Sequence, residues 1–127
     1  MGKIGCYCGH TILDSSDNLK YKGDIVPDIV HAEIFDHLSN LIDELELALQ
    51  TGKKREWINK NFQVPPYPLD LSGGNMIHDL FFKFYLDKTK NIFQCEKCGR
   101  ILIQKGQSER FVFFKPEEDD WRNILAE

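Results

Sequence analysis

The chain has 127 residues, 42% hydrophobic and 12% aromatic, which excludes a disordered class and allows one compact core. The opening MGKIGCYCGH carries no apolar signal region and no apolar run reaches bilayer-spanning length, so a bacterial, cytoplasmic protein is expected. Net charge is −4, and seven carboxylates without a single Lys or Arg fall between Asp24 and Gln50; that field suits a basic partner better than nucleic acid.

Residues 3–13 alternate around Cys6-Tyr7-Cys8-Gly9 and predict a short hairpin. A turn cluster follows at Asp14-Ser15-Ser16-Asp17-Asn18, then a loop or short extended piece in YKGDIVP. Pro27-Asp28 starts a helix, with Asp28 as candidate N-cap. Ile34, Leu38, Leu41, Leu45 and Leu49 recur at steps of three or four, widened by Phe35 and Ile42, and Gly52 fits the stop. The opposite face carries Glu33, Asp36, Asp43, Glu44 and Glu46, the candidate partner-binding residues. Lys53 to Phe62 reads as a second short helix with Trp57 and Ile58 inward. The prolines of QVPPYPLDLSGG, Pro65, Pro66 and Pro68, then impose an extended connector.

Asn75 is the expected cap of a third helix running to about Asp87. Ile77, Leu80, Phe81 and Phe84 line one face, while Phe82, Tyr85 and Leu86 lie elsewhere, so burial on two sides is expected. A turn covers Lys88 to Asn91. Ile92-Phe93-Gln94 enters a second cysteine pair, Arg100 to Gln104 leaves it, and Arg110 to Lys115 returns after a turn at Gly106. DDWRNILAE reads as a short terminal helix.

The four cysteines form two tight pairs, Cys6/Cys8 and Cys95/Cys98, separated by 86 residues. In a reducing cytosol, paired thiols point to metal rather than to disulfides. Cys95-Glu96-Lys97-Cys98-Gly99 is a CxxCG knuckle: the turn brings both sulfurs to one side, and glycine tolerates the positive φ that lets backbone N–H groups approach them. Cys6-Tyr7-Cys8-Gly9 is a shortened version. Together they predict a closed, structural Zn²⁺ site held by Cys6, Cys8, Cys95 and Cys98. Three other readings stand beside it: thiols that hold no metal, His10 in place of one cysteine, and a thioredoxin-like redox pair at Cys95/Cys98. The latter needs a helix after the CxxC, whereas CGRILIQ continues into a strand.

An enzyme is not expected. The four histidines form no HExxH, Ser15, Ser16, Ser72 and Ser108 lie in turns without G-x-S-x-G, and Ser72-Gly73-Gly74-Asn75 lacks the Lys-Ser/Thr ending of a phosphate loop.

Cys6, Cys8, Gly9, Ile12 and Asp14, with Asp17, Asn18, Leu19, Tyr21 and Lys22, form a CxCGxxIxD…DNLxYK pattern. Cys95, Cys98, Gly99, Arg100 and Ile103 form CxxCGRxxI, and Phe111, Phe114, Lys115, Pro116 and Glu117 form FxxFKPE. These ends, roughly a third of the chain, resemble a set of loosely characterised small bacterial proteins with paired zinc knuckles. The resemblance implies the zinc site and no particular activity; Glu96 departs from it, since such knuckles commonly carry proline there. Small acidic proteins of this kind are also similar to immunity proteins that neutralise toxins.

The fold expected is α+β, with zinc-ribbon-like β hairpins from both chain ends and an inserted helical segment, as a single domain over 1–127 (knuckles 3–13 and 92–115, helical insert 28–88). The function expected is a zinc-stabilised acidic protein-binding module, most sharply an immunity protein against a basic bacterial toxin. The alternatives are an enzyme of unknown type and a nucleic-acid-binding zinc ribbon using Lys97, Arg100, Lys105 and Arg110, with Phe111 and Phe113 nearby.

Overall fold

In the structure, a computed structural model describing residues 2–62 and 71–127, Gly2–Gly5 (β1) and Thr11–Asp14 (β2) pair as an antiparallel hairpin. Ile4 stands opposite Ile12, and the alternation sends Ile12 inward until it is almost fully buried. Lys22–Ile25 (β3), Lys90–Gln94 (β4), Ile101–Gln104 (β5) and Phe111–Phe114 (β6) form a second antiparallel sheet in the order β3-β4-β5-β6. With three helices between β3 and β4, the protein is α+β.

Of the two readings of YKGDIVP, loop or short extended piece, the extended one forms, as β3. Lys22 to Ile25 pair with Phe93 to Lys90, and the Gln94 N–H donates to the Tyr21 carbonyl at 2.8 Å. Glycine and aspartate in this stretch hide its strand character; the pairing comes from β4, which offers an open edge. β4 also begins at Lys90, inside the expected turn.

By contact density the described residues divide into two units. The strand unit, residues 1–25 and 89–127, unites the two chain ends. Its core is Cys6, Ile12, Phe93, Cys95 and Leu102, with Ile4, Tyr21, Phe111 and Phe113 packed against them. Two hydrogen bonds tie the hairpin to the start of β3 and the residue before it: Tyr21 Oη donates to the Leu13 carbonyl at 2.6 Å, and Lys22 Nζ to Asp14 Oδ1 at 2.8 Å. The terminal DDWRNILAE stretch is a series of turns, not a helix, with Asn123 at φ 57°. A lone segment this short cannot sustain a helix without packing, and Trp121 is held by other means, described below.

The helical unit, residues 26–88, holds Asp28–Gln50 (α1), Lys54–Asn61 (α2) and Gly73–Lys88 (α3). Pro27, not Asp28, occupies the N-cap of α1, with ψ 141°; Asp28 is the first helical residue, where its charge still favours the helix N-terminus. α1 buries Ile34, Leu41, Leu45 and Ala48, whereas Phe35, Ile42 and Leu49 stay exposed. The real buried stripe is rotated from the expected one. Trp57 and Ile58 of α2 cluster with Ala48 and Leu45, together with Met76 of α3, and that cluster decides which face turns inward.

α3 begins two residues before the expected Asn75. Ser72 is its cap: the Ser72 Oγ accepts from the Asn75 N–H at 3.1 Å. Burial on two sides does not occur. Only Met76 of α3 is fully buried, and Phe82 and Leu86 are exposed. Most of the expected proline connector, residues 63–70, lies outside the described residues. Among the described residues no helix is long and apolar enough to cross a membrane.

α1 ends as expected at Gly52, φ 71°. The Lys53 N–H reaches the Ala48 carbonyl at 2.8 Å and the Gly52 N–H the Leu49 carbonyl at 3.5 Å, a Schellman closure. A Cβ at Gly52 would meet open space. Gly52→Ala therefore carries only the left-handed backbone penalty, about 1–2 kcal/mol. Urea unfolding should show that modest loss with an unchanged slope.

Candidate metal centre

Each cysteine pair sits in a turn closed by backbone hydrogen bonds. In the second knuckle the Cys95 N–H donates to the Arg100 carbonyl and the Gly99 N–H to the Cys95 carbonyl, both at 2.8 Å. In the first, the Cys6 N–H donates to the His10 carbonyl at 2.9 Å and the Gly9 N–H to the Cys6 carbonyl at 3.0 Å. The two turns use the same bonds with one residue fewer in the first. Both need a left-handed residue after the second cysteine, supplied by Gly9 (φ 94°) and Gly99 (φ 80°).

The β1–β2 hairpin and the β4–β5 connection bring these turns face to face. Cys6 Sγ lies 3.6 Å from Cys98 Sγ, and Cys8 Sγ lies 3.6 Å from Cys95 Sγ. All four sulfurs fall within 4.8 Å of one another, and none is in a disulfide. Metal–thiolate bonds of about 2.3 Å in a tetrahedron place sulfurs about 3.8 Å apart, so the cluster has the dimensions to hold one metal ion. The four sequence-predicted ligands are the four brought together. His10 contributes its carbonyl to the turn and is not among the clustered donors.

The electrostatics favour a cation at the centre. Burial pushes the Cys95 thiol up to about 12 and raises Cys6 as well. At Cys98 burial acts the same way, but the Arg100 backbone N–H and guanidinium outweigh it and hold the thiol down at about 6. Arg100 Nη1 donates to Cys98 Sγ at 3.2 Å, and that contact raises the Arg100 pKa in return. Four sulfurs this close cannot all ionise on their own; a central dication removes the conflict.

Two supporting residues escaped the sequence reading. Trp121 packs its ring across Gly99, so that a Cβ there would fall less than 3.0 Å from the ring carbons. Gln94, almost fully buried, donates from Nε2 to the Trp121 carbonyl at 2.7 Å. The Arg122 guanidinium stacks over the Trp121 ring at 4.8 Å. Only the glycine hinted at this close approach. Arg100, read from the sequence as part of a basic patch, is instead turned to a sulfur.

Residues 2–118 match the model of a family described as a domain of unknown function (DUF8617). The chain belongs to the DUF8617 family. Comparison with curated proteins and with solved structures gives no match. For this DUF8617 member the match includes both cysteine pairs and the helical segment, so the cluster and the acidic helix fall within one family unit.

The five acidic residues predicted to meet a partner, Glu33, Asp36, Asp43, Glu44 and Glu46, are all exposed along α1. They differ in setting. Glu33 pairs with Lys88 Nζ at 3.2 Å, and Glu44 lines a groove shared with Lys53 and Lys60. Asp36, Asp43 and Glu46 lie on the other side of that face, next to the exposed Phe35, Ile42 and Leu49.

Proposed function

We propose that the chain is a zinc-stabilised module that binds a protein partner through the acidic side of α1, and that it acts as an immunity protein covering a basic toxin surface. The observation that carries the metal half of this reading is the four-sulfur cluster itself. Soft thiolate donors in a tetrahedron suit zinc, and four protein ligands leave no position for a reacting water, as in a structural site. Zinc with four thiolates carries a net charge of −2; Arg100 and the surrounding backbone N–H groups would offset it. Bound zinc would link residues from both chain ends and so stabilise the strand unit.

The partner half rests on α1, whose 23 residues include six carboxylates and no Lys or Arg. Such a surface speeds encounter with a basic partner and disfavours acidic ones. Metal analysis of the purified chain is expected to return one zinc per chain, and iron would displace the zinc assignment. Affinity capture from the native host, with the partner identified, tests the rest. Reversing Asp43, Glu44 and Glu46 to Lys should abolish capture of a basic partner while thermal unfolding and zinc content stay unchanged. Retention of the same partner by the reversed variant would rule out this face. Protection of cells from the co-expressed partner separates an immunity protein from other binders.

A further inference from the structure

Phe35, Ile42 and Leu49 are spaced seven residues apart and are 52%, 46% and 53% exposed. At that interval side chains form a nearly straight line along one helix face. Two members of the line, Ile42 and Leu49, line a groove of about 340 Å³ between α1 and α3 together with Leu45, Ile77 and, at the start of α3, Gly73 and Gly74; Phe35 continues the line along α1 beyond the groove. The start of α3 packs tightly on α1 at Gly73 and not at Gly74. A Cβ at Gly73 would stand 3.1 Å from Leu45 Cδ2, while at Gly74 nothing approaches closer than 3.9 Å.

Among the described residues, the one charged side chain lining the groove is acidic, and two more carboxylates lie along the rest of the line. Glu46 lines the groove, and Asp36 and Asp43 directly follow Phe35 and Ile42 in sequence, one step further round the helix. Lys88, the basic residue that ends α3, is engaged by Glu33. An apolar line with carboxylates along its outer side is complementary to one kind of element: an amphipathic helix with an apolar face and Lys or Arg beside it. The seven-residue repeat supports a helical occupant, because knobs from a second helix meet such a line at matching intervals.

We infer that the α1–α3 groove seats a basic amphipathic helix of the partner protein, its apolar face on Phe35, Ile42 and Leu49 and its basic edge on Asp36, Asp43 and Glu46. From Phe35 to Leu49 the line spans about 21 Å, so about four turns of the partner helix would be engaged. This rests on the reading of α1 as a partner surface and narrows it: apolar burial supplies affinity, and the carboxylates supply orientation and choice of partner.

The test uses the full, metal-loaded chain and three dye-labelled peptides of about 18 residues, long enough for the line. One is a Leu/Lys helix with leucines at i, i+3, i+4 and i+7, one has the same composition scrambled, and one is Leu/Glu in the first pattern. Fluorescence anisotropy should show the patterned Leu/Lys peptide bound on the order of micromolar and the other two about tenfold or more weaker. Ile42→Asn with Leu49→Asn leaves the charge unchanged and should weaken the patterned peptide about tenfold or more. Equal binding of the scrambled peptide, or no effect of the Asn pair, overturns the inference and reduces the contact to charge attraction. Light scattering on the unliganded chain covers the other occupant: a dimer that the Asn pair dissociates would place a second copy in the groove and overturn the assignment to a partner. In native-host capture, loss with the Lys reversal but not with the Asn pair would remove the groove and leave the acidic-face reading standing.

Discussion

Cys95→Ser should empty the metal centre and unfold the strand unit together. Cys95 is fully buried at the centre of the strand core and stands opposite Cys8 in the cluster. Serine places a hard, poorly ionised hydroxyl where a thiolate is needed, and three sulfurs no longer close the tetrahedron. Structural zinc in small domains supplies on the order of 10 kcal/mol of folding free energy, comparable with the entire stability of a typical domain, about 5–15 kcal/mol. The effect is therefore all-or-none. Metal content should fall to background, and soluble yield and the cooperative thermal transition should be lost with it. A chelator applied to the unaltered chain should produce the same unfolding, reversed by added zinc. A soluble Cys95→Ser chain without metal, melting as the parent does, would show that the cluster has no structural role.

Gly99→Ala is expected to be the most damaging change outside the ligands. Two costs combine. At φ 80° any side chain carries a left-handed penalty of about 1–2 kcal/mol. The added Cβ would also stand 2.7 Å from Trp121 Cε2 and 2.8 Å from Cε3, so the indole must leave. Where the displacement carries the Trp121 backbone with it, the Trp121 carbonyl leaves Gln94, a residue 3% exposed, at about 1–3 kcal/mol. The sum is about twice the loss expected for Gly52→Ala, where the φ is similar and the space is open. Tryptophan emission should shift to the red as Trp121 enters water, and a metal ion held by the four cysteines should be lost faster to a chromogenic chelator. Trp121→Ala provides the cycle: once the ring is gone, Gly99→Ala should cost no more than the backbone penalty. Equal losses in both backgrounds would mean that Trp121 does not cover the knuckle.

Both predictions depend on a centre that was only half legible in the amino-acid order. The four ligands were readable because CxC and CxxC spacings are local: a tight turn fixes where two sulfurs point, whatever the rest of the chain does. Strands flanking the knuckles were readable for the same reason, as were α1 and its glycine stop, through a repeat of three to four residues and a positive φ. β3 was legible only as a loop or short extended piece, because Lys22-Gly23-Asp24-Ile25 has little strand preference and becomes a strand by pairing with β4. The C-terminal stretch misled because helical propensity in a few residues is a weak signal against tertiary contacts. Ser72 was overlooked as a cap in favour of Asn75, both being capping residues three positions apart.

By itself, then, the sequence determined the α+β class, two cysteine turns capable of holding a metal, and a long helix without basic residues. Those are properties of short windows, set by turn geometry, helical period and charge. Tertiary structure alone decided that Cys6 faces Cys98 and Cys8 faces Cys95, that Arg100 leans on a sulfur, and that Gln94 holds Trp121 over Gly99. It also decided that Phe35, Ile42 and Leu49 stay outside while Ala48 goes in. A periodic apolar stripe specifies that a helix has a buried face; how far round that face extends is set by the volume and position of what packs against it, here Trp57, Ile58 and Met76.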